Sequence, residues 1–146
     1  MLGWVQRDHE RKLARAARLH EQRLNVYHGL GQFLELERTR IERIEPWMTV
    51  AGDTRVPPPD PTDEEWAGLH GSVAVAGSEA VQTALNEFHS SVRDFAGHVF
   101  TYRAMRSQGE GQQVADSGMA MHAARKVAYE KLAETERVMR DELAKL

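Results

Sequence analysis

Seven histidines are the residues most able to do chemistry in this chain of 146 residues, because imidazole binds transition metals and exchanges protons near neutral pH. A di-iron carboxylate bundle places Glu-x-x-His on two helices, so that both ligands share a face. No histidine here has a carboxylate three residues before it, and no two lie three or four residues apart. We therefore predict no metal and no cofactor, and we expect only His20, on an apolar stripe, to be buried.

Motifs for nucleophilic or phosphate chemistry are equally scarce. The chain has no cysteine, which excludes disulfides, thiolate metal sites and cysteine nucleophiles. Ser78 follows a glycine but lacks the Gly-x-Ser-x-Gly motif, and Gly29-Leu30-Gly31 lacks the third glycine of a dinucleotide site. The acidic run from Asp60 to Glu65 favours a helix start. We predict that the chain is not an enzyme, although carboxylates from different helices can still meet and keep a small helical enzyme or ligand-binding protein open as an alternative.

Hydrophobic periodicity predicts four helices that would position these residues, at about 5–45, 63–75, 79–107 and 117–145. All five prolines lie within residues 46–61, which predicts a stiff linker there. No segment shows a sustained strand-like period of two, so the predicted fold is all-α.

Capping residues support the helix boundaries. Thr62 and Ser78 are predicted to cap the second and third helices, and either Asp116 or Ser117 the fourth. Gly109 and the glycine two residues after it are predicted to end the third helix, since glycine adopts the left-handed conformation common at helix ends.

The third helix has the most regular apolar stripe. Its apolar residues alternate spacings of four and three, which is the heptad pattern of a coiled-coil, knobs-into-holes seam. They are Val81, Leu85, Phe88, Val92, Phe95, Val99 and Tyr102. The stripe of the fourth helix repeats at eleven residues and comprises Met121, Ala124, Ala128, Leu132, Thr135, Met139, Leu143 and Leu146.

The first helix is predicted to bury one stripe from Leu13 through His20 to Ile41, and a second from Leu19 to Phe33. Both stripes are filled between residues 24 and 36, which predicts contact with two neighbours there. Three pairs of charged residues are spaced like ion pairs on a solvated helix face, namely Asp8/Lys12, Glu35/Arg38 and Glu37/Arg40.

Helix lengths predict the architecture. At ~1.5 Å per residue, the first helix would be about 60 Å long and the third and fourth about 45 Å. An antiparallel bundle of three long helices and one short helix, in a single domain over residues 1–146, uses all the apolar stripes. The first helix is then too long for the bundle, and we predict that Met1 to about Lys12 overhangs at the N-terminus.

The overhanging start combines apolar and basic side chains. Exposed tryptophan beside arginine is typical of protein interfaces, and one short amphipathic turn binds a membrane surface only weakly. We predict a contact site for a second subunit or another protein, or weakly for a membrane surface, formed by Leu2, Trp4, Val5, Arg7, Arg11 and Lys12.

The charge balance and the absence of targeting signals limit the partners and the compartment. The net charge is −3, and without a basic excess a nucleic-acid partner is not predicted. No run approaches the ~18 consecutive apolar residues of a spanning helix, and the start has no apolar signal-peptide core. We predict a cytoplasmic protein without a small-molecule partner, with the cytoplasmic face of the membrane as the alternative location.

Three short segments resemble a family of uncharacterised actinobacterial all-helical proteins. Residues Arg23 to Leu34 are similar to their Arg-x-x-x-Tyr-x-x-x-x-x-Phe-Leu helix opening. Val75 to Val81, around Gly77-Ser78, and Met139 to Leu143 are similar to their middle and end. Many members carry a membrane-spanning helix before the Arg-rich start, so the resemblance implies that Leu2 to Val5 is the remnant or the trimmed edge of one. It implies no activity and no catalytic residue.

Together these observations predict a non-catalytic helical interaction or scaffolding module that acts through protein–protein contacts, with self-association as one form. The first alternative is a cytoplasmic membrane-proximal domain of a single-pass membrane protein. The second is a small helical ligand-binding protein or enzyme, which a deep pocket lined by groups with perturbed pKa values would favour.

Overall fold

The structure is a computed structural model, which describes residues 2–44, 59–109 and 111–146. It contains four helices in chain order: α1 (Leu2–Arg43), α2 (Asp63–Ala76), α3 (Glu79–Gln108) and α4 (Gly111–Ala144). These described ranges contain no strand, so the predicted all-α fold is confirmed. Of the predicted linker over 46–61, only residues 59–61 lie within the described ranges.

Local capping explains the ends of α2 and α3. The hydroxyl of Thr62 accepts a hydrogen bond from the Glu65 amide at 3.1 Å, and the hydroxyl of Ser78 accepts one from the Val81 amide at 3.2 Å. Each bond satisfies an amide that has no partner inside its helix. Gly109 follows α3 with a φ of 72° in the left-handed region, which glycine adopts without steric cost. The predicted caps of these two helices are confirmed.

Helix α4 begins earlier than the sequence predicts. The predicted start near residue 117 is wrong, because the helix already begins at Gly111. The left-handed Gly109 reverses the chain at once, so α4 lies beside α3 from its first turns. Neither predicted cap acts as one: the Ser117 hydroxyl donates to the Val114 carbonyl at 3.0 Å inside the helix, and Asp116 is likewise within it.

Successive helices run antiparallel and contact one another in a closed order. In the most extensively packed pair, α3 and α4, the Thr135 hydroxyl donates to a backbone carbonyl of α3 at 3.2 Å. Arg38 of α1 pairs with Glu136 of α4, while Phe33 of α1 packs edge-on against Trp66 of α2 with ring centroids 4.7 Å apart. Helix α1 therefore lies between α2 and α4, and the predicted antiparallel bundle of three long helices and one short helix is confirmed.

The core lies where the stripes of α3 and α4 predict it. All seven stripe residues of α3 are buried, and Leu85 and Phe88 have no exposed surface. The α4 stripe is buried from Met121 to Met139, whereas Leu146 at its end is 39% exposed. Removal of this apolar surface from water is the main stabilising contribution to the bundle.

Helix α1 departs furthest from the prediction. Every residue from Gly3 to Gln22 is exposed, including Leu13 at 57% and His20, both of which were expected on a buried stripe. Burial begins at Tyr27, whose hydroxyl accepts a hydrogen bond from the Ser78 amide at 3.1 Å where α3 begins. The turn between α2 and α3 lies at this level, so the earlier part of α1 projects beyond the bundle. The overhang is longer than predicted, and we call residues 3–22 the α1 extension.

Candidate interaction surface

The predicted contact residues lie on or next to the α1 extension. Trp4 and Val5 are 72% and 61% exposed, and Arg7, Arg11 and Lys12 are exposed as well. Leu2 belongs to α1, but its side chain lies outside the described part of the structure. The structure therefore gathers the five described residues on one projecting helix that is open to a partner.

The α1 extension is amphipathic. One side carries four arginines at spacings of four, four and three, which place them in a single row; this arginine stripe consists of Arg7, Arg11, Arg15 and Arg18. The opposite side carries aliphatic residues in line with the face that α1 buries in the bundle, namely Val5, Leu13, Ala16 and Leu19. Successive residues of a helix point about 100° apart, so Trp4 lies beside the arginine stripe and away from the apolar side.

Two open grooves flank α1 where the extension meets the bundle. The first, between α1 and α4, has a volume of about 1060 Å³ and is lined mainly by apolar atoms, with Leu24, Tyr27, Met139 and Leu143 among its residues. Leu36, which is 60% exposed, also lines it.

The second groove, between α1 and α2, runs along α1 from Gln22 to Phe33 and along α2 from Glu65 to Ala76; we call it the α1–α2 groove. Three glycines line it, and a Cβ added to any of them would meet no atom within 4 Å; they are Gly29, Gly68 and Gly71. Val75 lies at one end and is 81% exposed. The groove is thus lined mainly by apolar atoms, and at the three glycines nothing obstructs an approach to the backbone.

A cluster of rings between α2 and α3 is absent from the sequence prediction. His70 Nε2 and His89 Nδ1 are hydrogen-bonded at 2.9 Å, and the His89 ring stacks on Trp66 with centroids 3.8 Å apart and planes 6° apart. The two histidines are nineteen residues apart on different helices. Spacing rules within a single helix therefore could not identify the pair. The regular apolar spacing of α3 was the only sequence signal near it.

The surroundings keep both imidazoles of this cluster neutral near pH 7. Partial burial lowers the pKa of His70 and of His89, and the positive charge of Arg93 lowers both further. For His89, the neighbouring imidazole adds to the lowering and the carboxylate of Asp63 opposes it. One neutral ring can donate a hydrogen bond while the other accepts it, whereas two protonated rings have no acceptor. The arrangement makes the packing of α2 on α3 sensitive to acid.

A buried ion pair lies where the sequence predicts a solvated one. Glu37 and Arg40 are only 2% and 4% exposed. Arg40 donates through Nε at 3.0 Å and through Nη2 to the two carboxylate oxygens of Glu37, and through Nη1 to Asp60 at 2.9 Å. Burial alone would lower the pKa of Arg40, but the hydrogen bonds and negative charges of Glu37 and Asp60 outweigh it and raise that pKa. The network ties the segment before α2 to α1.

The other chemistry considered for this chain finds no assembled site in the part that the structure describes. Ser78 caps α3, and no three histidine, aspartate or glutamate side chains of the described residues come close enough together to hold a metal ion. None of the described helices combines the length and the apolar character that crossing a bilayer requires.

Comparison of the chain with protein-family models, with curated proteins and with solved structures gives no match. The geometry of the chain itself is therefore the basis for its function. In that geometry, the α1 extension is a run of twenty exposed helical residues, Gly3 to Gln22, that no described helix covers.

Proposed function

We propose that this protein is a non-catalytic helical interaction module that binds a protein partner through the α1 extension. One observation carries the proposal: every residue from Gly3 to Gln22 is exposed, on a helix whose second half is packed into a bundle. The apolar side of the extension continues the core face of α1. It therefore has the pattern of a packing helix, while no helix of the described chain packs on it.

The energetics of helices support a partner at this site. Isolated helices are marginal in water, because nucleation is costly and most helical stability in proteins comes from packing. Leu13 and Leu19 are 57% and 40% exposed, and full burial of such a side chain contributes about 1.5–3 kcal/mol. A partner that covers the apolar side would stabilise the extension in the same step in which it binds.

The composition of the apolar side favours a protein over a lipid surface. Helices that lie in a membrane surface concentrate Trp, Phe and Leu on their apolar face. Here His9, Lys12 and His20 fall among the aliphatic residues of that side, and Trp4 lies beside the arginine stripe. A protein surface, which can offer carboxylates next to apolar groups, complements this mixture better than hydrocarbon does.

Photo-crosslinking of the full chain in cells that express it tests the proposal. A benzophenone amino acid in place of Leu13 puts the reactive group on the apolar side of the extension. The same replacement at Ala133, an exposed position of α4, is the matched control. We expect protein adducts at position 13 that are absent at position 133. Equal labelling at both positions, or adducts with lipid alone at position 13, would contradict the proposal.

A further inference from the structure

We infer that the partner of the α1 extension is a second copy of this chain, whose α1–α2 groove receives the extension. This inference rests on the proposed function and names the partner. Three features of the chain support it: the division of charge along the sequence, the chemistry of the groove, and the direction and length of the extension.

Charge is divided along the chain in a self-complementary way. Residues 3–23 hold six basic and three acidic side chains, a net charge of +3. Residues 59–92, which include all of α2, hold no Lys or Arg and six acidic side chains, a net charge of −6. Since the whole chain carries −3, the remaining residues are neutral in sum. The chain thus carries both a basic helix and an acidic one, and surfaces of opposite charge favour correct docking and fast association.

The α1–α2 groove adjoins the acidic first turn of α2. Glu65 lines the groove, and Asp63 and Glu64 are exposed in the same turn of α2. The glycines that line the groove allow a docking helix to approach closely, because the distance between packed helices depends on the side chains at the contact. Exposed Val75 supplies apolar surface at one end. The groove therefore offers apolar contacts to the aliphatic side of an extension and a carboxylate to Lys12, which lies among those aliphatic residues.

The direction of α1 requires the groove to belong to another molecule. Helix α1 is continuous from Leu2 to Arg43, so the extension points away from its own bundle. Along α1 the groove covers eleven residue steps from Gln22 to Phe33, about 17 Å at ~1.5 Å per residue. On the aliphatic side of the extension, Val5 to Ala16 covers the same length. Two copies can exchange extensions about a two-fold axis, which covers both apolar sides and closes the assembly at a dimer.

The alternative of pairing the two extensions alone is less favourable. It would place one net charge of +2 beside another, and like charges in contact are repulsive. Docking on α2 instead brings each basic extension to a surface of opposite sign. The exchange therefore pairs the basic extension of each copy with the acidic α2 of the other.

Light scattering on the full chain tests this inference. We expect twice the chain mass of 16.5 kDa, with dissociation promoted by salt because exposed charges are screened. The double variant Glu64→Lys/Glu65→Lys should raise the dimer dissociation constant about tenfold, and Lys12→Glu, on the aliphatic side of the extension, should do the same. A chain carrying all three changes should dimerise again. Glu130→Lys, an exposed acidic residue of α4, is the matched control and should leave the mass unchanged.

Each contrary result has a distinct meaning. A monomer at every concentration would overturn the second copy as partner, as would binding of the extension to anionic vesicles in place of dimerisation. A dimer that is insensitive to the α2 changes would overturn the docking site. Crosslinks from Leu13 to a protein of another mass would leave the proposed function standing while removing this inference. Circular dichroism on each variant verifies the fold, and the change at Lys12 lies outside the bundle.

Discussion

The buried ion pair between Glu37 and Arg40 gives the sharpest test of how this bundle is held together. Replacing Arg40 by alanine removes the guanidinium that donates twice to Glu37 and once to Asp60. The Glu37 carboxylate, 2% exposed, is then buried without its cation. Asp60 is different, because its side chain is 78% exposed and water can solvate it after the change.

The expected magnitudes follow from this difference in exposure. Breaking a buried ion pair by removing one partner costs about 3–5 kcal/mol, so we expect Arg40→Ala to lower the free energy of unfolding by that amount. Asp60→Ala removes the exposed member only and should cost no more than about 1 kcal/mol. The double variant Glu37→Leu/Arg40→Met removes both charges and their desolvation cost, so it should recover most of the loss and can equal the original chain.

Urea denaturation followed by circular dichroism measures these changes, since the midpoint and the slope together give the free energy of unfolding. If the two side chains act as a buried pair, their effects are strongly non-additive, and the double variant is more stable than Arg40→Ala alone. A cost below about 1 kcal/mol for Arg40→Ala would mean that Glu37 reaches water. A double variant that loses the sum of both single effects would mean that the two side chains act independently.

Further predictions concern the core, the histidine pair and the α2–α3 turn. Phe88 has no exposed surface, so Phe88→Ala should cost about 3–5 kcal/mol in the same urea titration; less than about 1 kcal/mol would place the core seam elsewhere. Because burial lowers the pKa of His89, the folded chain binds fewer protons than the unfolded chain, and its stability should fall as the pH drops below the ordinary value of 6.5. His89→Gln should flatten this dependence of the melting temperature on pH while His9→Gln on the extension leaves it, and an unchanged slope in the first variant would refute the link. Gly77→Ala would set its Cβ 2.6 Å from a backbone oxygen and should lower stability by about 1–3 kcal/mol. Gly97→Ala in α3, with no atom within 4 Å of the added Cβ, should raise it by about 0.5–1 kcal/mol; the opposite signs would show that backbone crowding does not limit the turn.

The stripes show what periodicity can and cannot predict. On α3 the apolar pattern identified every stripe residue as buried, because two helices of the same chain lie against that face. On α1 the pattern is of the same kind, yet Leu13 and His20 are exposed. Periodicity determines which side of a helix would be buried, but it does not determine whether another helix of the chain reaches that side. The length argument predicted an overhang and underestimated it for this reason.

The polar clusters depend on how the helices pack against one another. Glu37 and Arg40 are three residues apart, and that spacing is the same for a solvated pair and for a buried one. Their burial depends on how α1 is rotated against α2, which contacts such as Phe33 with Trp66 determine. In the same way, the pair of His70 and His89 depends on the register of α2 and α3 after the tight turn between them. The spacing of residues along one helix determines neither the rotation of α1 against α2 nor the register of α2 and α3.

The Tyr27 hydroxyl, which bonds to the Ser78 amide at 3.1 Å, lies where α1 leaves the bundle. One continuous helix joins this point to Arg7, about 30 Å away at ~1.5 Å per residue. A force applied near Arg7 therefore reaches the bundle through α1, which contacts the start of α3 at Tyr27. The Tyr27–Ser78 hydrogen bond thus couples a displacement of the extension to the turn between α2 and α3.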